Sequence, residues 1–269
     1  MRIGILSDIH VDLEHPDPEK VVDGIAAAME ANAVEVMIIA GDVANDFRVT
    51  LRTLRALERR TGARVLFVPG NHDIWNEHHP RLTAWDTYAA LGEFPGNLAN
   101  GPQKLANGWT VIGDLGWYDY SFGGAYTPEE FDRMQTHGRL WQDKVKAVWG
   151  KTTREMHAHF HAKLEAQLRR HAGGPVILVT HAVPIPEFTV QPPEPPWDYL
   201  NAFLGSRGYG ELALGHAVAY SICGHVHYRR EQVVGRTTFI CNCLNYASQW
   251  VDNRDPRVEA ARALRTIVL

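Results

Sequence analysis

Through the first third of the chain, short aliphatic runs alternate with helical stretches. Residues 2–6, 34–40 and 64–68 predict strands and residues 18–32, 46–61 and 81–91 predict helices, in the order βαβαβα. None of the strand runs alternates strictly between apolar and polar positions. Both faces of each are therefore expected to be covered, as in parallel or mixed sheets flanked by helices. Further strands are predicted at 109–114, 175–180, 217–223 and 265–269, a hairpin at 230–234 and 237–241 turning on Gly235 and Arg236, and a helix over 152–171. The fold class is α/β.

Residues 116–151 break the pattern. They are dense in aromatics, including Trp117, Tyr118, Tyr120, Tyr126, Trp141 and Trp149, and read as an insertion over a single domain spanning 1–269. An insertion must bury something to stay folded, so packing is the first role expected of these rings, with substrate contact second. Residues 183–197 hold too much proline for a helix or an inner strand and predict a loop. Both segments follow strands, and both are expected to wall a site.

With 269 residues, 45% of them hydrophobic, the chain can bury about 70 to 75% of the surface its unfolded form exposes, so no disulfide framework is needed. Its 27 basic and 31 acidic residues leave a formal charge of −4, which disfavours nonspecific attraction to nucleic acid or anionic membrane. No Lys/Arg-rich stripe is expected. Cys223, Cys241 and Cys243 lack paired spacing, suit a reducing compartment, and are expected to be buried structural thiols. Ser7, Asp8 and His10 fall where a signal segment needs apolar residues, and no run reaches the roughly 18 apolar residues of a membrane span. A cytoplasmic location is expected.

The strand ends carry the chemistry. Five of them supply Asp8-x-His10, Gly41-Asp42, Gly70-Asn71-His72-Asp73, His181 and Gly224-His225-x-His227. Ligands in open α/β sheets gather beyond the carboxyl ends of strands, so these blocks point to one shared site. Carboxylates and imidazoles suit manganese, iron or zinc, and a carboxylate that bridges two ions roughly 3.5 to 4 Å apart can help clamp the attacking and leaving oxygens of a phosphoryl displacement. In both x-spaced pairs the side chains are expected on one side of an extended backbone. The glycines at 41, 70 and 224 are expected to take φ values that a side chain would resist.

The five blocks in this order resemble the calcineurin-like metallophosphoesterase pattern D-x-H, G-D, G-N-H-D/E, a lone His and G-H-x-H, over residues 1 to about 228. The resemblance implies a four-layer α/β/β/α fold, two mixed sheets packed as a sandwich and flanked by helices. It implies two divalent metal ions. Asp8, His10 and His227 would hold the first, Asp42 would bridge, and Asn71, His181 and His225 would complete the second. His72 would contact the substrate phosphate and protonate the leaving oxygen, with Asp73 orienting its ring. Attack by a metal-bridging hydroxide would need no covalent enzyme intermediate.

The expected substrate is a small phosphodiester or phosphomonoester, a nucleotide among the candidates. A nuclease of the same family is the alternative, with the acidic balance against it. A non-catalytic scaffold ranks lower, because every histidine of the pattern is in place. A protein serine/threonine phosphatase is disfavoured, since Asp73 stands where Glu is expected and no arginine immediately follows. His157, His159 and His161 are expected on a solvated helix face, and Arg229 and Arg230 in solvent.

Overall fold

The computed structural model describes residues 1–171, 174–251 and 255–269. Strands β1 (Arg2–Leu6), β2 (Val36–Ile39) and β3 (Arg64–Phe67) run parallel, joined by helices α1 (Pro18–Ala31) and α2 (Phe47–Thr61). Asp17 and Asp46 cap the two helices by accepting N–H bonds from Lys20 and Arg48, so each helix starts where the predicted one does to within a residue. Helix α3 (Ala84–Leu91) follows β3.

Strands β4 (Gln103–Lys104) and β5 (Thr110–Asp114) open the second sheet. The aromatic segment then forms α4 (Pro128–Asp132), a small ladder of β6 (Gln135–Thr136) with β7 (Arg139–Leu140), and α5 (Asp143–Lys146). Helix α6 (Thr153–Arg170) leads to β8 (Val176–Thr180), after which come α7 (Trp197–Leu200), α8 (Arg207–Gly215) and β9 (Tyr220–Cys223). The hairpin of β10 (Arg229–Val234) and β11 (Thr237–Asn242) turns at Gly235 (φ 61°) and Arg236, as predicted. Helix α9 (Pro256–Ala263) and strand β12 (Arg265–Val268) follow.

The first sheet has the order β12-β1-β2-β3, with β12 antiparallel to β1, and the second has the order β10-β11-β9-β8-β5-β4. Both are mixed. Alternation along the strands decides which layer each residue joins. Ile3, Ile5, Ile38 and Leu66 face Val111, Ile177, Val179 and Ile222 between the sheets, while Leu6, Met37, Ile39 and Phe67 face α1 and α2. The outer face of the second sheet buries Ile112, Leu178 and Phe239 with Leu164 of α6 and Tyr209 of α8. Four layers result, α/β/β/α, with the sandwich covered on both sides as expected.

Several expectations change. Arg48, Arg52, Arg55 and Arg59 fall at i, i+4, i+7 and i+11 and are all exposed on α2, so an arginine stripe does exist. Arg229 is not solvated: its guanidinium donates to the buried carboxylate of Glu259 and, at 2.9 Å, to the carbonyl of Cys243. His157 and His161 pack towards Tyr209, with ring centroids 5.3 and 6.1 Å away, while His159 is the exposed one. The three cysteines are buried and free, as expected. No helix among the described residues is long and apolar enough to cross a membrane.

Candidate metal centre

All seven predicted ligand residues converge beyond the carboxyl ends of β1, β2, β3, β8 and β9. Asp8, His10 and His227 form one group of donor atoms lying within 4.8 Å of one another, and Asp42, His181 and His225 form a second. His10, Asp42 and His72 form a third, so Asp42 belongs to two groups. Its Oδ1 accepts the backbone N–H of His72 at 2.9 Å. The other oxygen, Oδ2, lies 3.3 Å from His181 Nε2, 3.8 Å from His10 Nε2 and 3.9 Å from His72 Nε2.

The loops reach this arrangement by an unexpected route. Asp8, His10, Asp42, His225 and His227 have φ of 50°, 45°, 55°, 75° and 55°, so neither x-spaced pair is extended. Each strand breaks sharply at its end, and left-handed turns bring both side chains of a pair inward. Asp and His tolerate that region better than most residues, yet such conformations cost of order 1–3 kcal/mol each and persist only where the surroundings hold them. Here the loops hold one another: Asp8 N–H donates to Gly41 O (3.0 Å), His10 N–H to Asp42 O (3.1 Å), and His225 N–H to the Asp8 carboxylate (2.9 Å).

Of the three glycines, Gly41 alone has a positive φ, 87°. Gly70 and Gly224 are required for space instead. A Cβ at Gly224 would fall 2.6 Å from Asp8 Oδ2, and one at Gly70 would collide with Asp42.

Asp73 does not orient His72. Its carboxylate accepts N–H bonds from Asp42 (2.8 Å), Val43 (3.0 Å), Ala44 (3.2 Å) and Gly70 (2.8 Å) and the Thr50 hydroxyl (2.6 Å), tying the second ligand loop to the third. Burial and the neighbouring Asp42 push it up to about 7 against the pull of those donors. The His72 ring is set instead by Asn45, whose Oδ1 lies 2.7 Å from Nδ1, and by Trp75, stacked at 3.7 Å. Sequence reasoning missed both, as it missed Gln249, whose Oε1 lies 2.7 Å from His227 Nδ1, and Tyr246, whose ring sits 4.5 Å from those of His10 and His227.

The donor set suits cations. His181 Nδ1 faces the carbonyl of Ala40 at 2.8 Å and His225 Nε2 faces that of Phe203 at 3.1 Å. Each ring donates there, which turns His181 Nε2 and His225 Nδ1 toward one another. These nitrogens are 3.1 Å apart, and each is 3.0 Å from Asn71 Oδ1. Three electron-rich atoms so placed repel unless something positive sits among them, the proton of His181 in the metal-free protein or a cation in its place. His10 Nε2 and His227 Nε2 meet likewise at 3.2 Å, beside Asp8 Oδ1 at 3.9 and 3.5 Å. Electrostatics agree: burial disfavours charge on His181, but the carboxylates of Asp42 and Asp8 outweigh it and lift the ring to about 10. Burial likewise opposes ionisation of Asp42, yet the surrounding imidazoles hold its carboxyl well below the usual range. Burial and the His181 charge lower His225 to about 4, and burial lowers His72.

The mouth is a cleft of about 260 Å³ lined by His72, Trp75, Leu140, Trp141, Gln142 and Tyr246 above the donor groups. Thus residues 140–143 of the aromatic segment do wall the site. Trp117, Tyr118, Tyr120 and Trp149 are instead buried in the core, and the proline-rich loop contributes nothing to this lining. None of the α2 arginines lines it either.

A chain with this four-layer sandwich and this strand-end set belongs to the calcineurin-like phosphoesterase family, whose sequence profile matches residues 1–229. Among solved structures, a phosphopantetheinyl hydrolase from Mycobacterium tuberculosis superposes with a TM-score of 0.75 at 19% identity, over 99% of this chain and 95% of that one. A protein from Thermus thermophilus aligns at a TM-score of 0.54 and 14% identity, over 98% and 97%. A dimetal phosphatase from Danio rerio aligns at 0.53 and 12%, over 90% and 87%. At such identities the likeness is one of fold. No curated protein matches the chain by sequence.

Proposed function

We propose that the protein is a dinuclear metal-dependent phosphoesterase acting on a small phosphodiester or phosphomonoester. The observation that carries the reading is the meeting of three potential ligand atoms, His181 Nε2, His225 Nδ1 and Asn71 Oδ1, beside the shared Asp42 carboxylate. Asp8, His10 and His227 would hold one divalent ion, Asn71, His181 and His225 the other, and Asp42 both. Two such ions supply charge neutralisation and an activated water for in-line attack at phosphorus.

The chain's own residues do the rest. Asn45 accepts the Nδ1 proton of His72 and so fixes the ring at the cleft, where Nε2, once it carries a second proton, would donate to a phosphoryl or leaving-group oxygen. Trp75 stacks against that ring and limits its tilt. Leu140, Trp141 and Tyr246 offer apolar and aromatic surface to the alcohol portion of the ester, and a cleft of about 260 Å³ favours compact substrates over duplex nucleic acid or a folded phosphoprotein. With almost complete mutual coverage by a phosphopantetheinyl hydrolase, phosphopantetheine esters join nucleotides as candidates.

The test is elemental analysis of the metal-replete protein together with turnover on cyclic nucleotides, linear diesters, monoesters and a phosphopantetheine diester, each with manganese, iron or zinc. Two ions per chain and metal-dependent release of phosphate or alcohol are expected. One ion or none, or turnover that survives chelation, would sink the proposal.

A further inference from the structure

We infer that Asp143, supplied by the aromatic insertion and by none of the five strand-end blocks, is the positioning residue that makes Asn71 a ligand, and that through Trp75 it also sets the ring of His72. This rests on the dimetal reading above.

Asp143 is 2% exposed. Its Oδ1 accepts from Asn71 Nδ2 at 2.9 Å and from the Trp75 indole at 2.7 Å; its Oδ2 accepts from the Trp141 indole at 2.8 Å and the Tyr118 hydroxyl at 3.2 Å. All four donors are neutral, so within this shell the carboxylate has no countercharge. Three of the four, Asn71, Trp75 and Trp141, line the cleft.

An asparagine amide has two ends, and a half-turn about its last torsion exchanges them. At position 71 the exchange decides whether a cation can bind. An ionised carboxylate only accepts, so Asp143 accepts from the NH₂ end and turns Oδ1 toward His181 Nε2 and His225 Nδ1, each 3.0 Å away. Without Asp143 the amide can turn and donate N–H to His225 Nδ1, and to His181 Nε2 once that ring is neutral. That state satisfies its own hydrogen bonds and fills the place of the ion. The carboxylate also draws the amide's charge toward Oδ1, as a carboxylate behind a ligating histidine raises its basicity.

The second arm runs through Trp75. The Asp143 oxygen that holds Asn71 also holds the indole N–H, and the indole lies stacked on His72 at 3.7 Å and 29°. Lys146, three residues on, rests over the same indole at 4.3 Å and pairs with Glu77 at 2.7 Å, while its carbonyl accepts the Asn76 N–H at 3.0 Å. The insertion is thus fastened to Asn71, Trp75, Asn76 and Glu77.

The experiment is a calorimetric titration of the metal-free full-length protein with Mn²⁺, comparing wild type with Asp143→Asn, Asn71→Ala and the double variant. Asp143→Asn is expected to weaken one of the two sites on the order of 10- to 100-fold and spare the other. In the Asn71→Ala background the same substitution should add nothing further, which a general loss of packing would not mimic. Tyr118→Phe, which removes a different donor to the same carboxylate, should keep both sites. Wild-type affinity at both sites in Asp143→Asn, or an equal extra loss in the Asn71→Ala background, overturns the inference. Fewer than two ions on the wild type overturns the dimetal reading instead. Should Asp143→Asn not fold, the exchanged pair Asn71→Asp with Asp143→Asn, made together with Trp75→Phe so that no indole N–H faces the new NH₂ group, restores the hydrogen bond with its polarity reversed. Two ions bound there support the inference; loss of one, or failure of this variant to fold as well, assigns Asp143 to the core alone.

Discussion

Gly70 stands against Asp42 so closely that a Cβ added at position 70 would fall 2.1 Å from Asp42 Oδ1 and 2.4 Å from its backbone nitrogen. The obstacle is the shared carboxylate and the loop that carries it, neither of which can retreat without releasing the His72 N–H. Gly70→Ala is therefore expected to weaken metal binding on the order of 10- to 100-fold while the sandwich still forms. Metal content with circular dichroism checks this; a variant that binds like wild type would show that the loop yields easily.

Asp42 sits in two of the three donor groups. Asp42→Asn keeps the shape and removes the charge, so both ions should be lost or weakened together. Removal of one ion alone, seen by elemental analysis, would mean that Asp42 does not bridge.

For His72→Ala the expectation separates binding from turnover. Metal content should stay near wild type while turnover falls roughly 10²- to 10⁴-fold on an ester with a poor leaving group. On a nitrophenyl ester, whose leaving group needs little protonation, the loss should shrink. Equal losses across a leaving-group series would leave His72 an electrostatic role only, and loss of an ion would make it a ligand.

His181 gives the metal-free protein a pH signature. Its folded value, about 10, lies above the 6.5 of an unperturbed ring. A raised value means that the folded state holds the proton more tightly, so the stabilisation is complete below about pH 6.5 and disappears as pH rises through about 10. Between pH 7 and 10 the melting temperature of the chelator-treated wild type should fall more steeply than that of His181→Gln. Parallel curves would refute the assignment.

The rim makes its own prediction. Replacing 117–149 by a short linker would remove Trp117, Tyr118 and Trp149 from the core, and the product should not fold. Leu140, 36% exposed at the mouth, can be changed alone. Leu140→Asp should raise KM for esters with a bulky apolar alcohol several-fold and leave metal content and melting temperature within error. An unchanged KM across such esters would place the alcohol elsewhere.

What could be read from the sequence was whatever sits next to a strand. Asp8, His10, Asp42, Asn71, His181, His225 and His227 each follow an aliphatic run directly, so local pattern and residue chemistry locate them together. Asp143, Tyr246 and Gln249 reach the site through packing between segments distant in sequence, and Asn45 and Trp75, though each within three residues of a strand-end block, are aimed at His72 by turns that no local pattern marks. Helix α8 was hidden by Gly208, Gly210 and Gly215, whose cost in a helix is offset by burying Tyr209, Leu212 and Ala213. Helix α9 did carry a signal, Asp255 as cap followed by Pro256, in a stretch too weakly amphipathic to draw notice. The bends at Asp8, His10, His225 and His227 were unreadable because Asp and His at φ > 0 are chosen by the surrounding loops.

Two of the donor groups take residues from both sheets. Asp8 and His10 leave β1 and meet His227 beyond β9, while Asp42 leaves β2 and meets His181 and His225 beyond β8 and β9. Asp8 and His225, already joined by a hydrogen bond, lie 217 positions apart in the chain. On the proposed reading, neither ion can be captured while the chain is still short of His225 and His227, or before the two halves of the sandwich have docked. Loading then comes after assembly, and the strand ends made first wait with their carboxylates and imidazoles unfilled until the strands made later arrive. Metal occupancy would thus record that the two sheets of a molecule have docked.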